Sequence, residues 1–231
     1  MTAGGRAAPR AWPRCCYACC HCWCRGTFPR SYCFIVNHAR EITLRNCEVD
    51  WPDGADFEKL KLGYLGVVAH AAPGLRVENN LFLTCVVGVA ASHSPGAVIS
   101  HNTIVGEGNY GVVLLPASAE DRYTVENNLF YRTTLGYKIN PAIWVFDPMP
   151  RLTCDYNLFY IPKDHKATIG KLPGTERLFP LAAWTEATGL DRHSVQVEPT
   201  FTNPAARDFS LRSGSPGNGA ARDGGVVGRR W

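Results

Sequence analysis

The chain has 231 residues, a net charge of +4 and 45% hydrophobic residues, which suits one sizeable globular domain or two small ones. Lys and Arg are scattered and the charge is small, which argues against a nucleic-acid partner. No run approaches the roughly 18 apolar residues of a membrane span, and the first residues lack the apolar region of a signal peptide.

Residues 1–33 form a cysteine-rich head whose composition differs from the rest of the chain. Seven of the ten cysteines lie here, and "CCYACCHCWC" places Cys16, Cys19 and Cys22 at the spacing of metal-binding thiolates. A structural zinc site joins two separated ligand pairs, however, and no second pair follows. We therefore predict that the head is disordered, or is mis-started translation and not native sequence, and that ordered structure begins near residue 34.

An eight-residue segment recurs five times after the head, and we call each copy a line of the repeat. The lines share an apolar third residue and an apolar last residue, and four of the five have asparagine at the sixth position. They are "ITLRNCEV" (42–49), "LRVENNLF" (75–82), "AVISHNTI" (97–104), "YTVENNLF" (123–130) and "LTCDYNLF" (152–159). The alternation within each line is typical of a β-strand. A second strand, which we name the Gly-led strand, recurs between the lines and starts at Gly66, Gly88, Gly111 and Gly136.

The length of the repeat predicts a solenoid. Units of 22 to 33 residues are too small to bury a core alone, so successive coils must stack. An inward-facing asparagine at a bend can bond its own amide to the next amide about 4.8 Å along the stack. We therefore predict an architectural role, and not a catalytic one, for Asn80, Asn102, Asn128 and Asn157. Cys47, at the same position, is predicted to be a small buried substitute.

The segments "VENNLF", "SHNTIVGEGNYGVVL" and "DYNLFY" resemble right-handed parallel β-helix proteins of the pectin-lyase-like superfamily. Residues 181–216 are similar to the C-terminal segment of many secreted bacterial members. The resemblance implies an all-β, right-handed parallel β-helix of about five coils over 34–223, with a short C-terminal helix at "LAAWTEATG" and a tail over 224–231. It also implies that this is the C-terminal part of a secreted or periplasmic protein, since members usually have eight or more coils.

In β-helix enzymes of this kind the polysaccharide groove runs along one parallel sheet, and insertions flanking the Gly-led strands favour the sheet that they form. The predicted outward positions of that sheet are Val68, His70, Ala90, Ser92, Val113, Leu115, Lys138 and Asn140. None is acidic, which disfavours hydrolysis by paired carboxylates. Lysis of a uronate polymer needs a base and a positive charge, so Lys138 and His70 are the candidate catalytic residues.

Other residues are candidates for substrate binding, namely His93, Asn140, Arg122 and Arg132. Aromatic side chains that could stack on sugar rings are Trp51, Tyr110, Trp144 and Tyr160. No metal or cofactor is expected, because the acidic residues are dispersed. Two functions remain open at this point. One is a carbohydrate-active, uronate-lyase-like protein that acts on a polysaccharide, and the other is a non-catalytic binding or scaffold module of the cell surface.

Overall fold

A computed structural model of the protein describes residues 23–24, 32–50, 65–83, 85–106, 110–131, 141–162, 168–171, 173–174 and 178–231. Within these ranges the chain winds through five coils, and each coil contributes one strand to each of three sheets. The predicted all-β solenoid of about five coils is therefore confirmed.

The strands follow one another in the same order in every coil. A two-residue strand, β1 (Trp23–Cys24), comes before the first coil. The five coils are β2 (Tyr32–Asn37), β3 (Thr43–Arg45) and β4 (Glu48–Asp50); β5 (Leu65–His70), β6 (Arg76–Glu78) and β7 (Leu81–Leu83); β8 (Val87–Ser92), β9 (Ala97–Ser100) and β10 (Thr103–Val105); β11 (Tyr110–Leu115), β12 (Arg122–Glu126) and β13 (Leu129–Tyr131); β14 (Pro141–Val145), β15 (Arg151–Asp155) and β16 (Leu158–Tyr160).

The C-terminal region adds shorter elements to this solenoid. They are β17 (Thr168–Lys171), β18 (Leu178–Phe179), α1 (Leu181–Thr188), β19 (Val195–Gln196), β20 (Phe201–Asn203), a 3-10 turn (Pro204–Ala206) and β21 (Asp208–Leu211). Helix α1 was predicted, and it ends at Gly189, which adopts a left-handed φ of 71°. Its Trp184 is fully buried against the last coil, so the helix closes this end of the core.

Three sheets result from the stacking. The Gly-led sheet has the order β18-β17-β14-β11-β8-β5-β2, the middle sheet β15-β12-β9-β6-β3, and the third sheet β1-β4-β7-β10-β13-β16-β19. Equivalent repeat positions pair across the coils, as in the column Leu44, Val77, Ile99, Val125 and Cys154. The gap-free alignment of the five lines is therefore the register of the structure.

The predicted asparagine ladder is present and fully buried. The side-chain N–H of Asn80 donates to Asn102 Oδ1 at 2.9 Å, that of Asn102 to Asn128 at 3.0 Å, and that of Asn128 to Asn157 at 3.2 Å. Each Oδ1 also accepts the backbone N–H of the ladder residue one coil earlier, beginning with Cys47 at 2.9 Å. The ladder thus satisfies amides at the bend that would otherwise be buried without partners.

A buried carboxylate, which the sequence did not reveal, ends the ladder. Asp191 is 2% exposed and accepts hydrogen bonds from the Asn157 amide at 3.0 Å, the Trp184 indole at 2.9 Å and the Ser194 hydroxyl at 2.6 Å. The Cys154 thiol donates to it as well, at 3.0 Å. Burial, and then the adjacent carboxylate, raise the pKa of that thiol well above its ordinary value, so Cys154 is an inert core thiol.

The recurring glycines leave room for side chains that approach from the third sheet. A Cβ on Gly111 would lie 2.6 Å from the Phe130 ring, and one on Gly66 would lie 2.7 Å from the Phe82 ring. Both distances are far below van der Waals contact, so a larger residue would displace the core. This close approach explains why Gly recurs as the second residue of β5, β8 and β11.

The residue just before each ladder position adopts a left-handed backbone. We name this column the αL row: Asn46, Asn79, His101, Asn127 and Tyr156, with φ between 53° and 59°. Asparagine tolerates this conformation better than most residues, which accounts for the doubled asparagines of "ENN".

Four residues of the predicted head are described, and all four lie in strands. Trp23–Cys24 form β1 beside β4, and Tyr32 and Cys33 begin β2. The remaining residues up to 31 lie outside the described ranges, so disorder of the head stays a prediction.

Candidate functional site

The outer face of the Gly-led sheet carries two rows of side chains. The first row runs through Ile35, Val68, Ala90, Val113, Trp144 and Lys171, and the second through Asn37, His70, Ser92 and Leu115. The alternate residues Val67, Ala69, Val89, Ala91, Val112 and Leu114 are at most 1% exposed. The predicted inward and outward sets of coils two to four are therefore correct.

In the fifth coil the structure differs from the prediction that a Gly-led strand starts at Gly136. Val112, Val113 and Leu114 pair with Ile143, Trp144 and Val145, so β14 is the strand of this coil. Trp144 pairs with Val113, so it occupies the outward position of coil five that the prediction assigned to Lys138. Lys138, Asn140 and Arg132 themselves lie outside the described residues.

Imidazole rings form a column along one edge of this face. His70 is exposed, and its Nδ1 lies 3.1 Å from Ser92 Oγ. Its ring lies between those of His38 and His93, with centroid distances of 5.6 and 5.1 Å. Two predicted site residues, His70 and His93, are thus brought together, and His38 joins them although no sequence pattern links it to the other two.

Arg122 belongs to a different sheet. It begins β12 in the middle sheet, is exposed, and pairs in register with Arg151. Its carbonyl accepts the Gly96 N–H at 2.7 Å across the corner that follows β8. Arg122 therefore lies round the corner from the imidazole column and not on the outer face of the Gly-led sheet.

Aromatic side chains cluster at the other end of the same face. The Tyr110 and Trp144 rings have centroids 4.8 Å apart, and Trp144 stacks on Phe146 at 4.2 Å with an interplanar angle of 25°. Lys171 Nζ lies 4.9 Å from the centre of the Trp144 ring. All four side chains are partly exposed, so they form a platform with aromatic surface and one positive charge. We name it the aromatic platform.

Two other predicted stacking residues do not contribute to this platform. Tyr160 stacks on Tyr131 at 4.9 Å, and both residues belong to strands of the third sheet. Trp51 lies outside the described residues.

The third sheet has a covered outer face. Its outward side chains pack under the C-terminal region in a second hydrophobic cluster made of Leu81, Leu83, Val105, Leu129, Leu158, Phe201, Phe209, Ala221 and Val227. A ligand on this face would have to displace the cluster.

Ion pairs occupy much of the middle sheet. Glu78 is bound by both Arg45 and Arg76. Burial by itself would raise the pKa of Glu78, but the hydrogen bonds and charges of the two arginines outweigh it and hold that pKa below its usual range. In the described part of the chain, no group of three or more His, Cys, Asp or Glu is placed to hold a metal ion. The Gly-led sheet is therefore the face best suited to a ligand.

Comparison with known families agrees with this architecture. The family described as "Right handed beta helix region" matches residues 23–160, more than half of the chain. The chain belongs to the right-handed β-helix family. This membership confirms the right-handed parallel β-helix and makes the pectin-lyase-like resemblance plausible, but it names no reaction.

A search of curated proteins finds no significant match. No helix in the described ranges of this β-helix protein is long and apolar enough to cross a membrane.

Proposed function

We propose that this right-handed β-helix protein binds a polysaccharide along the outer face of the Gly-led sheet. The observation that carries the proposal is the aromatic platform, where Tyr110, Trp144 and Phe146 are partly exposed beside a lysine. Flat aromatic surface next to a few polar groups suits the apolar face of a sugar ring. Secretion or a periplasmic location remains part of the proposal and follows from the resemblance alone.

The ligand class is an acidic polysaccharide containing uronate. Lys171 supplies a positive charge at the platform, and no Asp or Glu occupies the described outward positions of the sheet. The imidazole column begins about three coils away, or roughly 14 Å at ordinary strand spacing. An oligosaccharide lying across the strands would therefore reach from Lys171 to His93 and His70.

A uronate-lyase activity is the second candidate, and it rests on the position of His70. The ring is exposed, and the contact between its Nδ1 and Ser92 orients the other nitrogen away from that hydroxyl. An imidazole held in this way can accept the C5 proton of a uronate when it is neutral. A non-catalytic binding module lacks this step but uses the same platform.

Binding is tested by titrating alginate, pectate and chondroitin oligosaccharides into the protein. We expect Trp144→Ala to weaken binding roughly tenfold, corresponding to about 1.4 kcal/mol of lost stacking. Trp231→Ala is the matched control, because Trp231 is 57% exposed and lies in the C-terminal tail. Equal affinity of the two variants would refute the platform as the binding site.

Lyase activity is tested separately with the same oligosaccharides. A lyase product carries an unsaturated sugar that absorbs in the near ultraviolet. The lyase candidate predicts that His70→Ala abolishes the absorbance while it leaves affinity within about twofold. Binding without any absorbance change in the wild type would contradict the lyase candidate and leave the binding module standing.

A further inference from the structure

The last six residues cross the αL row from the outside. We name residues 226–231 the strap. The Gly228 N–H donates to the Asn127 carbonyl at 2.7 Å, and the Arg229 N–H donates to Thr103 Oγ1 at 2.8 Å. Further on, the Arg230 N–H donates to Asn79 Oδ1 at 2.6 Å. The strap therefore passes from coil four back to coil two and is held by its backbone at each coil.

One contact of the strap depends on the protonation state of a histidine. Arg230 Nη2 lies 3.2 Å from Nε2 of His101, a member of the αL row. A guanidinium only donates, so Nε2 must present its lone pair and the neutral ring must carry its proton on Nδ1. Protonation of Nε2 would replace this hydrogen bond by two cations at the same separation.

The other charges around His101 do not cancel this effect. Burial, and then the Arg230 charge, lower the pKa of His101, while the Asp223 and Glu78 carboxylates and the Val226 carbonyl act in the opposite direction. The net result is a pKa below the ordinary 6.5. Glu78 is already paired with two arginines, and Asp223 is already paired with Arg230.

A second histidine of the C-terminal region contacts a carboxylate instead of a guanidinium. His193 Nδ1 lies 2.7 Å from Asp155 Oδ2, and the His193 N–H donates to the same carboxylate at 2.7 Å. This contact therefore places a carboxylate, and not a second cation, beside the imidazole. Burial by itself would raise the pKa of Asp155, but the hydrogen bonds from His193 and Tyr156 outweigh it and hold that pKa below its ordinary value.

We propose that the strap is a C-terminal segment whose attachment depends on pH. It detaches from the αL row when His101 is protonated, while residues 191–194 remain bound. The detached chain binds a proton more readily than the docked chain, so detachment is favoured as the pH falls below about 6.5. Detachment uncovers Asn79, Thr103 and His101 and frees the basic, aromatic end of the chain. This proposal is independent of the polysaccharide site, which lies on another sheet.

Hydrogen exchange at single amides tests the proposal in the whole protein. The amides of Gly228, Arg229 and Arg230 are compared at pH 7.5 and pH 5.0 after correction for intrinsic exchange rates. The protection of these three amides should fall by up to tenfold for each unit by which the pKa of His101 in the docked chain lies below its pKa in the detached chain. The backbone amides of Asn80 and Leu129 donate to the side chain and the carbonyl of Asn102. They should keep their protection, which shows that the solenoid stays folded.

A variant without the titrating ring is the decisive comparison. His101→Asn places at this position the residue type that Asn46, Asn79 and Asn127 have in other coils, so the left-handed backbone is retained. We expect the strap amides of this variant to have the same protection at both pH values, whatever its absolute level. An equal acid-induced loss in the variant and the wild type would overturn the proposal, as would no loss in the wild type.

His193→Gln is the control, because it removes the ring of the second histidine, which contacts Asp155. We expect it to leave the pH dependence of the strap amides unchanged. If the strap lost its pH dependence in His193→Gln, its attachment would depend on His193 and not on His101, and the proposal would be overturned.

Discussion

Replacing one asparagine of the ladder tests the stacking of the coils. In Asn102→Leu the amide of the central coil is lost. Asn102 Oδ1 accepts the backbone N–H and a side-chain N–H of Asn80 at 3.0 and 2.9 Å. Its own amide donates to the Val77 carbonyl at 2.8 Å and to Asn128 Oδ1 at 3.0 Å. Leucine can replace none of these four bonds.

The cost follows from the groups that are left without partners. Two donors of Asn80 lose their acceptor in a site that is fully buried, at about 1–3 kcal/mol each. The Asn128 oxygen keeps the backbone N–H of residue 102, so it adds little. We therefore expect the free energy of unfolding to fall by about 2–6 kcal/mol, a large part of the 5–15 kcal/mol that is typical of a domain.

Urea unfolding of the variant and a matched control measures this loss. Asn37→Leu is the control, because Asn37 is an exposed asparagine at the end of β2 and its replacement should cost no more than about 0.5 kcal/mol. The midpoints are compared at equal m-values. A difference below 1 kcal/mol between the two variants would refute the ladder as a main determinant of stability.

Two further predictions concern packing and charge. Gly111→Ala should destabilise the protein by about 1–3 kcal/mol, because its Cβ would lie 2.6 Å from the Phe130 ring. Gly225→Ala should cost less than half as much in the same urea titration, because the nearest atoms to its Cβ are the ends of the Asp223 and Arg230 side chains. Glu78 and Asp155 have pKa values below their ordinary 4.5 and 3.8, so they contribute stability above those values that is lost as the pH falls through their lowered pKa values. The melting temperature should therefore fall below about pH 4.5, and a Glu78→Gln, Asp155→Asn double variant should show a shallower fall.

The repeat allowed most of the fold to be predicted. Each line of the alignment contains its own strand alternation and its own bend, so register and ladder follow from local sequence. The inward and outward sets of β5, β8 and β11 were correct for the same reason, because a strand alternates with period two from a fixed start.

The prediction for the fifth coil was wrong because it took a glycine, Gly136, as the start of the Gly-led strand. Gly recurs in coils two to four because a third-sheet side chain approaches closely, and this cause is not visible in sequence. In coil five the equivalent residue is Ala142, which precedes the Ile143 that pairs with Val112. "GYKIN" has the same local pattern, so nothing nearby distinguished it from a true Gly-led strand.

Contacts between distant segments account for the remaining omissions. Asp191 ends the ladder from 34 residues beyond Asn157, and Arg230 contacts Asn79 across 151 residues. The aromatic platform joins Tyr110 to Trp144 only once the coils are stacked. No periodicity in the sequence links these positions, so they required the structure.

A hydrogen-exchange footprint of the bound oligosaccharide tests the central claim most directly. The protein is compared with and without a saturating uronate oligosaccharide that binds it. The account predicts added protection along the aromatic platform and the imidazole column, in 65–70, 87–93, 110–115, 141–146 and 168–171, and none in the third sheet. Protection confined to the third sheet or the middle sheet would contradict it.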